Sequence, residues 1–115
     1  MPIQIIRSSI NRFQLRQIAK ERFGDMVKVA VDIEQEIIAL GGELHVDEQI
    51  ALIESEGSKH ENIWGVNLYP ERDSDEFIEF DSMINIKPNL GNRTRGIDDE
   101  QIREKVKSVV AKLIK

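Results

Sequence analysis

Apolar and polar residues switch period several times along the chain, and each switch predicts an element. Residues 3–6 form a short β-type run. Leu15, Ile18, Ala19 and Phe23 then recur at helical spacing. Asn11 precedes them as an N-cap, Gln14 stands where a capping box needs it, and Ile10 and Leu15 are placed as a hydrophobic staple. Gly24 suits the position just past the helix end.

Residues 26–46 admit two readings. Met26, Val29, Ala30, Ile33, Ile37 and Leu40 fit one helix from Asp25 to Leu40. Val27, Val29, Val31 and Ile33 instead alternate strictly, and Ile38, Leu40, Gly42, Leu44 and Val46 alternate again after Glu34-Gln35-Glu36. Alternation and valine enrichment on both sides of a polar turn favour a hairpin of strands 26–33 and 37–46. Gly41-Gly42 then marks a bulge or a close backbone approach.

Asp47 is placed to cap a short helix through Glu54, with Glu48 in its first turn and Gly57-Ser58 at its end. Residues 63–69 read as a strand with Trp64, Val66 and Leu68 on one face. Residues 77–87 read as a longer strand with Ile78, Phe80, Ile84 and Ile86 on one face, paired antiparallel with 63–69. A glycine- and asparagine-rich loop follows Pro88. The last helix starts at Asp98, with Gln101 completing a capping box and Ile97 and Ile102 as the staple. Ile102, Val106, Val109, Val110 and Leu113 form its apolar stripe.

These elements predict one α+β domain, a two-layer sandwich in which an antiparallel sheet carries the N- and C-terminal helices on one face. Strand parity then sends Lys28, Ala30, Asp32, Ala39, Gly41, Glu43, His45, Gly65, Asn67, Tyr69, Glu79, Asp81, Met83, Asn85 and Lys87 to the opposite face, which reads as polar and mainly acidic.

Composition narrows the chemistry. The chain has 115 residues, room for one core, and no cysteine, which removes disulfides, thiolate metal sites and cysteine nucleophiles. It has no apolar run long enough to span a bilayer and no signal-peptide pattern at its start, so a cytoplasmic protein without membrane contact is expected. Net charge is −5, which argues against nucleic acid as a partner. The charge is unevenly spread: residues 1–24 carry +4, 25–86 carry −13 and 87–115 carry +4. Basic outer elements neutralising an acidic middle is the plainer reading; two surfaces of opposite sign, one for a partner, is the sharper one.

Two sets of residues are candidates for chemistry. On the polar sheet face, Glu43, His45 and Asp81 are the candidate catalytic groups, with His45 as general base, beside Asn67 and Asn85. Glu43 and His45 stand two apart, but no recognised metal spacing is present, and no metal or cofactor is expected. The second set is Asn92, Arg93 and Arg95, between Gly91 and Gly96 before a helix N-terminus. Guanidinium forks and backbone N–H groups there suit a phosphate or carboxylate, or the arginines pair with acids of the sheet. No serine has a convincing base; Asp81 and Ser82, adjacent in a strand, point to opposite faces.

Gly42-Glu43-Leu44-His45, Asp47-Glu48, Gly57-Ser58, the run 64–71, the run 80–86 and the run 91–96 together resemble a small prokaryotic family of domains of unknown function, over nearly the whole chain. The resemblance implies a stand-alone cytosolic protein and brings no activity, cofactor or catalytic residue. Members of that family often carry glycine where Glu36 stands. The expected function is non-enzymatic binding or interaction, with self-association through a sheet face or edge. The alternative is a small protein or enzyme acting on a phosphate- or carboxylate-bearing ligand.

Overall fold

The computed structural model describes residues 2–115. In chain order the elements are β1 (Gln4–Ile6), α1 (Arg12–Arg22), β2 (Val27–Asp32), β3 (Ile37–Leu40), α2 (His45–Glu56), β4 (Ile63–Leu68), β5 (Ile78–Glu79) and α3 (Glu100–Leu113). The five strands form one antiparallel sheet in the order β1-β3-β2-β4-β5. The fold class is α+β, with the terminal helices on one face of the sheet.

The hairpin reading of the ambiguous region holds. Val29, Val31, Ile38 and Leu40 of β2 and β3 face α1 and α3 and join Trp64, Val66 and Leu68 of β4 in the main core. Leu15, Ile18 and Ala19 of α1 and Val106, Val109, Val110 and Leu113 of α3 close that core. Asn11 and Gln14 form the full capping box. The two ends of the chain are clasped: Ile10 N–H donates to Leu113 O at 2.9 Å and Lys115 N–H to Ile10 O at 2.8 Å.

The β2–β3 turn places Glu36 at φ 57°, a left-handed conformation that costs a residue with a Cβ roughly 1 kcal/mol. A glycine would sit there without strain. Glu36 also reaches Lys112 of α3 at 3.0 Å, an exposed pair of small worth.

Four expectations need correction. The second hairpin strand ends at Leu40, not 46, because Gly41 at φ 92° turns the chain out of the sheet. Gly41 and Gly42 do mark a close approach: an added Cβ would lie 3.2 Å from Pro2 O and 3.0 Å from Glu48 Cγ respectively. The middle helix begins at His45 with Leu44 as N-cap, not at Asp47, and runs to Glu56, where Gly57 ends it in the left-handed conformation. The strand expected over 77–87 is only Ile78–Glu79; short 3-10 turns at Met83–Asn85 and Pro88–Leu90 follow. The last helix is capped by Asp99, whose carboxylate accepts from Gln101 and Ile102 N–H, while Asp98 accepts from the Thr94 hydroxyl.

These shifts change the second face of the sheet. It is not an open polar surface. Ala30, Ile37, Ala39 and Ile63 are buried there beneath Leu52 of α2 and Ile84, with Ile3 and Ile5 at the edge. The buried side of α2 is His45, Glu48, Gln49 and Leu52, at helical spacing but mostly polar. Its solvent side mixes Val46, Ile50 and Ile53 with Asp47, Glu54 and Ser55. The helix thus buries polar side chains and leaves three large apolar ones in water.

Lys87 is a buried basic residue. It is 1% exposed, donates to Ile84 O at 3.0 Å and lies 5.1 Å from the centroid of the Trp64 ring. Burial draws its pKa from 10.5 to about 8, against the pull of the Glu61 carboxylate. The unfolded chain therefore holds this proton more tightly than the folded one from pH 8 to 10.5, so stability rises with pH over that window. The rise is at most roughly 3 kcal/mol. Urea unfolding across this window should show Lys87→Met losing the rise that the natural protein has. Equal slopes would mean that Lys87 keeps an ordinary pKa.

Candidate functional site

Lys28, Asn67 and Glu79 stand side by side across β2, β4 and β5, and the next row is Ala39, Ala30 and Gly65. The small row lets α2 and the chain at Ser82 come close. A Cβ on Gly65 would lie 2.5 Å from Ser82 Oγ and 3.1 Å from His45 Cδ2. Beside this contact the sheet, the start of α2 and the loop at 81–84 leave a cavity of about 250 Å³. Its lining includes Lys28, His45, Asn67, Asp81 and Arg95, with Leu44, Val46, Met83 and Ile84 as apolar wall.

His45 lies in the first turn of α2, not on a strand, yet it reaches the sheet: Nε2 is 2.8 Å from Val66 O. A carbonyl only accepts, so Nε2 carries the proton and Nδ1 is left as an acceptor. Burial lowers the imidazole pKa below 6.5, the Val66 carbonyl opposes this, and nearby Lys28 adds to the lowering. The ring is neutral at neutral pH.

Asn67 is nine-tenths buried. Its Nδ2 donates to Glu79 Oε1 at 2.9 Å and to Asp81 O at 3.3 Å, which fixes the amide orientation. Its Oδ1 is buried without a partner. The α2 N-terminus adds two donors. Leu44 offers no side-chain cap, and the N–H groups of His45 and Val46 have no acceptor among the described residues.

Asp81 and Arg95 form an ion pair of 2.7 Å at the cavity wall, both partly exposed. The structure thus brings His45, Asn67, Asp81 and Arg95 together, joining the two candidate sets. It leaves others out. Glu43 is exposed and stands 4.0 Å from Arg22, outside the cavity. Arg93 is exposed on the loop. The amides of Asn85 and Asn92 are occupied by backbone: Asn85 Oδ1 accepts from Gly65 N–H, and its Nδ2 donates to Gly65 O and Arg95 O. Asn92 Nδ2 donates to the carbonyls of Asn85, Thr94 and Gly96, and Oδ1 accepts from Asp98 N–H.

Lys28 and Ser82 are site residues that sequence reasoning did not single out. Lys28 was legible in strand parity, since it stands opposite Asn67. Ser82 was not, because it belongs to a turn; Asp81 and Ser82 therefore border the same cavity instead of opposite faces. Ser82 Oγ accepts from Ile84 N–H, and no hydrogen bond joins it to His45 among the described residues. No group of three or more His, Asp or Glu among the described residues is placed to hold a metal ion. No helix among them is long and apolar enough to cross a membrane.

The chain belongs to a family described as a protein of unknown function, DUF5674, whose model matches residues 4–113. No curated protein and no solved structure matches it.

The fit around Gly65 sets a test of the site's construction. Gly65→Ala should cost about 2 kcal/mol through overpacking against Ser82. Adding Ser82→Gly should recover part of that loss in thermal or urea unfolding. Strict additivity of the two changes would mean that the contact does not hold the cavity wall.

Proposed function

We propose that this protein is a cytoplasmic, non-enzymatic binding protein whose cavity takes a small molecule carrying a carboxylate or phosphate. The observation that carries this reading is the uncapped start of α2. His45 and Val46, whose N–H groups have no acceptor among the described residues, line one cavity of small-molecule size with Lys28 and Arg95. Helix N-termini favour anions through their unpaired donors and dipole. Binding is preferred to catalysis because His45 is held by a carbonyl, not a carboxylate, and Ser82 by a backbone N–H.

A second reading rests on the exposed apolar residues of α2. Val46, Ile50 and Ile53 lie exposed on α2, beside exposed Leu44 and Met83. A patch of this kind suits self-association. The second sheet face, buried beneath Leu52 and Ile84, does not. If this patch is the contact, Ile50→Glu should turn a dimer into a monomer in sedimentation equilibrium; a natural protein that is monomeric at high concentration would remove this reading.

The ligand reading is tested by amide NMR on the labelled protein with 4-methylpentanoate and with inorganic phosphate. Shifts should concentrate at His45, Val46, Asn67 and Arg95. Arg95→Gln should weaken the response about tenfold. Shifts confined to the basic surfaces of α1 and α3, or none at the cavity, would end it.

A further inference from the structure

We infer that α2 is a proton-operated latch on the cavity: when the buried Glu48 carboxyl ionises, the first turn of the helix lets go of the sheet and the cavity wall built from it is lost. Its regulatory meaning rests on the reading of the cavity as an anion site; the latch itself does not. Glu48 has no exposure to solvent. Oε2 accepts from Gly42 N–H at 2.9 Å, and Oε1 meets no donor. Among the described residues no basic group forms an ion pair with it. A neutral carboxyl tolerates such a place. A carboxylate there is a charge with one hydrogen bond and no counter-ion, which burial penalises far more.

The surrounding groups agree with this placement. Burial pushes the carboxyl well above 4.5, the Gly42 N–H and Lys28 of β2 pull against it, and Asp47 of α2 adds to the rise. Lys28 Nζ rests 5.3 Å from the centroid of the Phe23 ring. Asp32, the other charged residue of β2, is bonded to Gln35 at the far end of the strand. β3 and the turn at Met83–Asn85 carry no titratable side chain. Arg22 donates to Gly41 O at 3.3 Å, and His45, Asp81 and Arg95 line the cavity.

The helix is fastened unevenly, which decides what moves. Its far end is held by buried Leu52 and by bonds to Glu56 from the side chains of Arg7 and Gln35. Its start has no side-chain cap and is tied down by Glu48 to Gly42 N–H and by His45 Nε2 to Val66 O. Gly41, at φ 92°, and Gly42 stand just before it and supply a hinge. Leu44, His45 and Val46 line the cavity, so release of this turn removes one wall together with its two N–H groups. The latch holds fully below the ordinary carboxyl range and weakens as pH rises to the raised pKa of the buried group.

The test is a pH titration of the ligand-free full chain by NMR, reading the Glu48 carboxyl carbon and the backbone amides. The Glu48 signal should titrate well above the ordinary carboxyl range. Gly42, His45 and Val46 should shift with the same midpoint while the amides of α1 and α3 stay put. Exchange of the Gly42 and Glu48 amides, corrected for the pH dependence of exchange itself, should quicken about tenfold per pH unit between the ordinary and the raised pKa. Glu48→Gln, of the same shape with no proton to lose, should abolish that slope. The latch falls if Glu48 titrates in the ordinary range, if it titrates high with only Lys28 responding, or if the slope survives in Glu48→Gln. The carboxyl signal needs no variant, so the first two outcomes stay decisive should Glu48→Gln fold poorly. Sulfate, whose charge is constant over this window, is added last, and its shifts at His45 and Arg95 should fade with the same midpoint. A titrating first turn with no sulfate response at any pH ends the anion reading and leaves the latch standing.

Discussion

One side-chain amide completes the sheet where a strand gives out. β5 pairs with β4 only at Asn67 and Leu68, so the next open position on that edge of β4 is Gly65. The Asn85 carboxamide fills it, accepting from Gly65 N–H at 2.7 Å and donating to Gly65 O at 2.9 Å, as a backbone unit would. The same Nδ2 holds Arg95 O, and Asn92 in turn holds Asn85 O. Without these bonds several buried backbone groups would lose their partners, at about 1–3 kcal/mol each. The placement of Ser82 against Gly65, of Arg95 beside Asp81 and of the loop leading to α3 all follow from this anchoring.

The polar underside of α2 is the second constraint, and it works against stability. Glu48 is fully buried; Oε2 accepts from Gly42 N–H at 2.9 Å, and Oε1 has no partner. Burial raises its pKa well above 4.5, with the Gly42 bond and Lys28 opposing. A carboxyl with a raised folded-state pKa favours folding at low pH, and the favour is lost as pH rises through that pKa. An apolar residue would stabilise this helix better. What the polar underside does provide is a short, bonded link from Gly42 to the first turn of α2, which sets where His45 meets Val66.

Capping boxes and side-chain periods are local signals, and the elements they govern were legible: α1, α3 and the β2–β3 hairpin. The start of α2 was not, because its buried side is mostly polar while Leu44 and Val46 lie exposed, so alternation through Leu44 and Val46 imitates a strand. Residues 77–87 mislead for a related reason. Ile78 and Phe80 pack against the main core and Ile84 against the second, but Ser82 caps a turn and Asn85 stands in for a strand. Nothing in residue spacing announces a side chain that replaces backbone. The candidate site survived these errors in part: His45 and Asp81 were assigned by strand parity to the face that α2 and the 81–84 turn line by another route. Glu43 went with the assumed strand and is left outside.

Charge segregation along the chain resolves into pairing across it. Arg7–Glu56, Arg16–Glu71, Arg22–Glu43, Arg95–Asp81 and Lys112–Glu36 each join a basic end segment to the acidic middle. Most are exposed pairs, worth about 0–1 kcal/mol apiece. Arg95–Asp81 differs in position, because both partners line the cavity. A simple anion that engages Arg95 draws it from Asp81 and leaves a carboxylate facing added negative charge. On the proposed reading, an anion at this wall therefore competes with Asp81 for Arg95 and depends on Lys28 and the uncapped start of α2 for the rest of its hold.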